Sequence, residues 1–284
     1  MYENTGLILE GGGMRGVYTA GILDYFLEHG IEFSSVYGVS AGALNGSNFV
    51  SRQRGRSITS FTRFLGDPRY SGPRYMATKG SYFNNDFVYD TVPNELIPVD
   101  YEAFRANPAK LIAVVSNIFN GQPEYMEVRD LATDMDIVRA SASLPILSTP
   151  VIINKTMYLD GGICDSIPLK KSQSDGNRKN VVILTQDRNF VKKPASNLRM
   201  SKALYGVKYP LFYEAQARRH EMYNEQTRYV FESEKLDDTF VIAPKKSVDI
   251  DRLEQNASKL WRWYAVGYED AKENADALIR YLER

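Results

Sequence analysis

The chain has 284 residues, 43% hydrophobic and 25% charged, which excludes disordered, collagen-like and membrane classes and suffices for one large α/β domain or a domain with an appendage. Lys+Arg and Asp+Glu both number 35, so no overall field favours nucleic acid or anionic lipid, and either partner would need a local patch. The single cysteine, Cys164, excludes an internal disulfide and a cysteine-based zinc site. Met1–Thr5 lacks a basic leader and no stretch approaches the ~20 apolar residues that span a bilayer, so the sequence predicts a soluble, cytoplasmic protein able to visit a membrane surface.

Gly6-Leu7-Ile8-Leu9 reads as a buried strand, ended by Glu10-Gly11-Gly12-Gly13. A helix follows from about Arg15, with Gly16, Ala20, Leu23 and Leu27 on one face and Gly30 as its C-cap. Ser35-Val36-Tyr37 is a second strand, and Ala41 to Phe49 winds into a second helix. This βαβα start implies a parallel sheet. Residues 66–100 interleave turn residues with Tyr70, Tyr75, Tyr82, Phe83, Phe87 and Tyr89, which favours an ordered insert packed by its own aromatics over a flap.

Strands are expected at Lys110–Ile118, Pro150–Ile153, Thr156–Leu159 and Val181–Thr185, with Thr133-Asp134-Met135-Asp136 opening a short helix through Ala142 as a capping box. Beyond about residue 190 the pattern turns helical, near Ala203–Val230 and Asp249–Leu282, with a strand at Thr239–Ile242 between. The expected division is therefore a catalytic unit over 1–190 and a mainly helical extension over 191–284.

Chemistry centres on Gly38-Val39-Ser40-Ala41-Gly42, a G-x-S-x-G pentapeptide at a strand-to-helix turn. Gly38 and Gly42 leave room for the strained serine, and the helix start turns its dipole towards Ser40. A serine hydroxyl needs a base and oxyanion donors. Gly11, Gly12 and Gly13 can supply the donors; Arg15 either fixes that loop or is a solvated charge. Gly11 to Gly16 also spells the dinucleotide fingerprint, but a Rossmann fold wants an acidic residue ~20 positions on, where Gly38-Val39-Ser40 stands. The only histidines are His29, at a helix end, and His220, in a charged helical stretch, so a Ser40–Asp160–His220 triad is formally available but disfavoured. Asp160, after a strand and before Gly161 and Gly162, is the stronger base once burial raises its pKa, although an Asp-Gly turn aspartate is the plain alternative.

Together, Gly11 to Gly16, Gly38 to Gly42, Asp160-Gly161-Gly162 and the small-residue stretch Ala140 to Pro145 make residues 7–169 resemble the patatin-like phospholipase family. The resemblance implies a three-layer α/β/α fold with a mainly parallel sheet, Ser40 as nucleophile, Asp160 as base, Gly11–Gly13 as oxyanion hole, and hydrolysis of lipid acyl esters without metal or other cofactor. Its partners would be a lipid or acyl-ester substrate and, peripherally, a membrane, with no nucleic acid. Two departures stand out: Asp165-Ser166-Ile167-Pro168 replaces the family's frequent Asn-x-Pro, so Asp165 either supports the turn or competes as an acid, and the region past 190 resembles a helical extension of some bacterial members. Cys164 is expected to be a packed thiol.

Overall fold

Alternation along β1 (Tyr2–Leu9) sorts the core: Leu7 and Leu9 point to one face of the sheet and Ile8 to the other. This computed structural model describes residues 1–246 and 249–284. A 3₁₀ turn at Gly13–Arg15 leads from β1 into α1 (Gly16–Glu28), closed by Gly30 at φ 67°; β2 (Phe33–Val39) and α2 (Ala41–Val50) follow. Next come α3 (Arg56–Thr62), α4 (Pro73–Lys79), a π-helical stretch at Phe87–Leu96 and α5 (Tyr101–Ala106). Within the insert at 66–100, Tyr70, Leu96 and Ile97 pack on a cluster of Phe64, Phe87 and Val92.

Then come β3 (Lys110–Asn117), β4 (Pro123–Val128), α6 (Leu131–Ser141), β5 (Val151–Ile153), β6 (Thr156–Asp160), α7 (Leu169–Ser174) and β7 (Lys179–Ile183). The last elements are α8 (Leu198–Tyr205), α9 (Pro210–Lys235), β8 (Thr239–Ile242) and α10 (Ala257–Glu283). Three sequence expectations are corrected. Helix α6 opens at Asp130, which accepts from Ala132 N–H while Asp134 reaches back to Arg129 N–H, so the box sits three residues before Thr133. The expected single helix over 203–230 is two, broken at Gly206–Tyr209 before Pro210, and the helix expected from Asp249 starts only at Ala257, as α10.

The eight strands form one sheet in the order β5-β6-β3-β2-β1-β7-β8, with β4 also paired to β3. Its centre is parallel (β3-β2-β1-β7-β8), and β4, β5 and β6 add antiparallel pairs at one side. One face is covered by α1, α2, α6 and α10, the other by α7 and α9, giving three α/β/α layers. Each wholly buried Leu, Ile or Phe in these layers contributes ~1.5–3 kcal/mol. Helix α10 lies directly on α1: a Cβ on Gly267 would stand 2.0 Å from the Tyr18 carbonyl oxygen, and one on Gly21 would stand 2.1 Å from that of Tyr264. The C-terminal region thus shares the sheet, through β8, and the helical layer.

Candidate active site

The turn between β2 and α2 places Ser40 at φ 55°, ψ −121°, a conformation that costs a non-glycine residue about 1–3 kcal/mol. Surroundings this tight hold it there. A Cβ on Gly42 would meet the Leu9 carbonyl oxygen at 2.3 Å, and one on Gly38 would meet Ala43 Cα at 2.5 Å, so both flanking positions need glycine. The Ser40 N–H donates to Ser141 Oγ at 2.9 Å, fixing the elbow to the end of α6. Ser40 itself is only 8% exposed.

Parallel pairing sets the glycine loop beside it. Leu9 faces Gly38, so the chain leaving β1 passes the elbow, where a Cβ on Gly11 would stand 2.9 Å from Ser40 Cβ. Thr185 Oγ1 donates to the Gly11 carbonyl at 3.1 Å and Met14 N–H donates to the Arg252 carbonyl at 3.1 Å, which pins the loop at both ends. Among the described residues, the N–H groups of Gly11, Gly12 and Gly13 have no protein acceptor. Glu10 anchors the loop's base, accepting from Thr185 N–H at 2.6 Å and Tyr223 hydroxyl at 2.8 Å.

Asp160 reaches the same pocket through register. Val39 pairs with Val114, and Asp160 pairs with Val115 one residue on, so Ser40 and Asp160 stand at one height across β3. Its N–H donates to the Ser143 carbonyl at 2.8 Å, and its Oδ1 accepts from Gly162 N–H at 2.9 Å. Gly161 packs on β3, where a Cβ would lie 2.0 Å from the Val114 carbonyl oxygen. Burial pushes the Asp160 pKa up from the ordinary carboxylate value, while Arg219, the Ser40 hydroxyl and Gly162 N–H oppose that rise without cancelling it. The pocket holds a buried, more basic carboxylate facing a strained serine, lined also by Gly11, Gly12, Gly13 and Arg15.

Neither histidine belongs to it. His29 stacks on Tyr25 with centroids 3.9 Å apart, and His220 Nδ1 lies 3.1 Å from the Ala217 carbonyl of its own helix. Asp165 is occupied elsewhere: Tyr125 hydroxyl, Gln226 Nε2 and Ile167 N–H all donate to it, so it supports the turn. Cys164 donates to the Gly121 carbonyl at 3.2 Å, and burial pushes its thiol up to about 11.

Sequence reasoning missed four contributors from the distant C-terminal side: Lys192, Arg219, Tyr223 and Arg252 all line the pocket. Arg219 Nε donates to the Gly162 carbonyl. Arg15 is half-buried with no partner for its Nε, which fits neither loop-bonding nor a solvated charge. No cluster of three or more His, Cys, Asp or Glu suited to a metal occurs among the described residues.

Ser40 also lines an apolar cavity of about 90 Å³, together with Leu44, Phe61, Phe83 and Leu253. This shares Leu44, Phe61, Tyr70, Val88 and Tyr89 with a second cavity of about 100 Å³ roofed by the 66–100 insert.

The sequence model of the patatin-like phospholipase family matches residues 7–171, and a domain of unknown function, DUF6363, matches residues 209–283. The uncharacterized protein YjjU of Escherichia coli (strain K12) is 29% identical over 204 residues, 70% of this chain and 56% of that protein. Lysophospholipase NTE1 of Meyerozyma guilliermondii is 29% identical over 185 residues, 61% of this chain but 12% of that protein. The chain therefore spans little over half of one relative and a small part of the other. VipD from Legionella pneumophila aligns at a TM-score of 0.45 and 15% identity over 96% of this chain and 67% of that one. Because the patatin-like pattern covers more than half of its residues, elbow and Asp160 included, the chain belongs to the patatin-like phospholipase family.

Proposed function

We propose that the protein is a serine hydrolase of lipid acyl esters working through a Ser40–Asp160 dyad. The observation that carries this is the meeting of a strained Ser40 with the buried carboxylate of Asp160 beside the open N–H groups of Gly11–Gly13. Asp160 takes the Ser40 hydroxyl proton as Oγ attacks the ester carbon, and the glycine loop receives the oxyanion. The ester C–O bond then breaks, and the departing alkoxide takes the proton from Asp160. Water, deprotonated by Asp160, cleaves the acyl-enzyme; the fatty acid leaves and the proton returns to Ser40. Losing one oxyanion donor in such a site costs about 3 kcal/mol, so the loop matters on the scale of the base.

The apolar channel beneath the insert suits an acyl chain, and the relatives named lysophospholipases support a lipid substrate. No helix among the described residues is long and apolar enough to cross a membrane. Contact with a bilayer would be peripheral, through Met200, Leu204, Val207 and Leu211, which are 52–96% exposed along α8, the break after it and the start of α9 and flanked by Arg199, Lys202 and Lys208. A p-nitrophenyl ester series tests the proposal. Hydrolysis that rises with acyl length and vanishes in Ser40→Ala is expected; turnover unchanged in Ser40→Ala would refute it.

A further inference from the structure

The pocket that adjoins the acyl channel at Ser40 carries four basic side chains, Arg15, Lys192, Arg219 and Arg252, against two carboxylates, Glu10 and Asp160. Those carboxylates already have partners. Glu10 holds Thr185 N–H and the Tyr223 hydroxyl, and Asp160 holds Gly162 N–H. Among the described residues none of the four cations makes an ion pair within 4.0 Å, and Arg15 Nε is buried without any acceptor. Asp251 is the further acid acting on Arg15, and it does not line the pocket. Lys192 Nζ rests 3.9 Å above the Tyr223 ring, and burial together with Arg219, Arg252 and Arg15 pushes it down to about 7. Like charges, with Lys192 only partly protonated near neutrality, are thus gathered beside the nucleophile of a protein whose charges balance overall, 35 against 35. Such a cluster repels itself until an anion enters.

We infer that this cation wall is an anion subsite for the ester's alcohol portion, assembled largely by the C-terminal region, and that the preferred substrate is an acyl ester whose headgroup is a phosphomonoester. The inference rests on the acyl-ester reading of Ser40. Arg252 lines both the cationic pocket, about 20 Å³, and the apolar channel, so a substrate with its chain under the insert and its ester at Ser40 would direct its phosphate towards the cations, whose side chains must part to admit it. A zwitterionic headgroup would bring a cation of its own to a surface already in surplus. Arg219 is tied to Gly162, which leaves Lys192 and Arg252, whose charged ends make no hydrogen bond to protein among the described residues, as the holders of the phosphate. This also gives the region matching DUF6363 a role, since Arg219, Tyr223 and Arg252 all lie within it.

The test uses ligands that cannot be cleaved, so it is independent of whether the protein hydrolyses esters. Calorimetry would compare a long-chain alkyl ether of glycerol phosphate, the same ether of glycerol, and its phosphocholine counterpart on the intact protein. The expected result is binding of the phosphomonoester about tenfold or more tighter than either other ligand, a margin that shrinks with added salt. In Lys192→Gln and Arg252→Gln the ratio of phosphate to neutral affinity should fall towards one, with far-ultraviolet circular dichroism showing the fold retained. Equal affinities for the three ethers would overturn the subsite. Inorganic phosphate binding as tightly as the ether phosphate would overturn the headgroup assignment.

Discussion

Ser141 Oγ accepts the backbone N–H of Ser40 at 2.9 Å, so the end of α6 holds the nucleophile's peptide in place. Both residues are buried, and no water can replace the hydroxyl cheaply. Ser141→Ala should lower stability by about 1–3 kcal/mol, the cost of an unsatisfied buried N–H. It should also lower kcat more than it raises KM, because the elbow loses its orientation. Urea unfolding and steady-state kinetics on a p-nitrophenyl ester check the two effects.

The strained backbone at Ser40 predicts a stability–activity trade-off. Glycine adopts φ 55°, ψ −121° without a Cβ penalty, whereas alanine does not. Ser40→Gly should therefore be more stable than Ser40→Ala by about 1–2 kcal/mol, with both inactive. A higher urea midpoint for the alanine variant would show that the elbow is not strained.

Asp160 sets the acid limb of the rate profile. Its pKa is raised by burial, so the protonated, inactive form persists above the ordinary carboxylate value of ~3.9, and kcat/KM should climb with pH through the raised value. The stability effect has the opposite sense. Between the unfolded pKa and the raised folded one the native state binds more protons than the unfolded chain, so stability falls as pH rises through that window. Asp160→Asn removes this loss. Its Tm relative to the parent should therefore increase from pH 4 towards pH 7 (about the span between an ordinary carboxylate and neutrality), while activity is lost throughout. Asp165, also raised, is common to both proteins and cancels.

The exposed apolar stripe from α8 to the start of α9 predicts how the protein meets lipid. Val207 is 96% exposed between Lys202 and Lys208. Val207→Asp should weaken sedimentation with anionic vesicles several-fold, and leave hydrolysis of a short water-soluble ester unchanged because the residue lies outside the pocket lining. Equal sedimentation would place the membrane contact elsewhere.

What the sequence reveals depends on how local each constraint is. The elbow and the glycine loop are legible because strain and close approach demand glycine at fixed offsets, as at Gly38, Gly42 and Gly11. The central strands are legible because both faces are covered and their apolar runs are continuous, as in Leu111 to Val115. Strand β4 escapes because Pro123-Glu124-Tyr125-Met126-Glu127-Val128 is mostly half-buried and carries charges in its pairing positions. The cation wall escapes for a different reason. Arg219 sits in a charged helical stretch and Arg252 in a loop, and only the packing of α9 and the loop before α10 brings them to Gly162 and Gly13.

The most direct test of the Ser40–Asp160 account is fluorophosphonate labelling read by intact mass and peptide mapping. The account predicts a single adduct on Ser40, formed at a rate that collapses in Asp160→Asn and survives in His220→Ala. An adduct on another residue, or one that depends on His220 and not on Asp160, would contradict it.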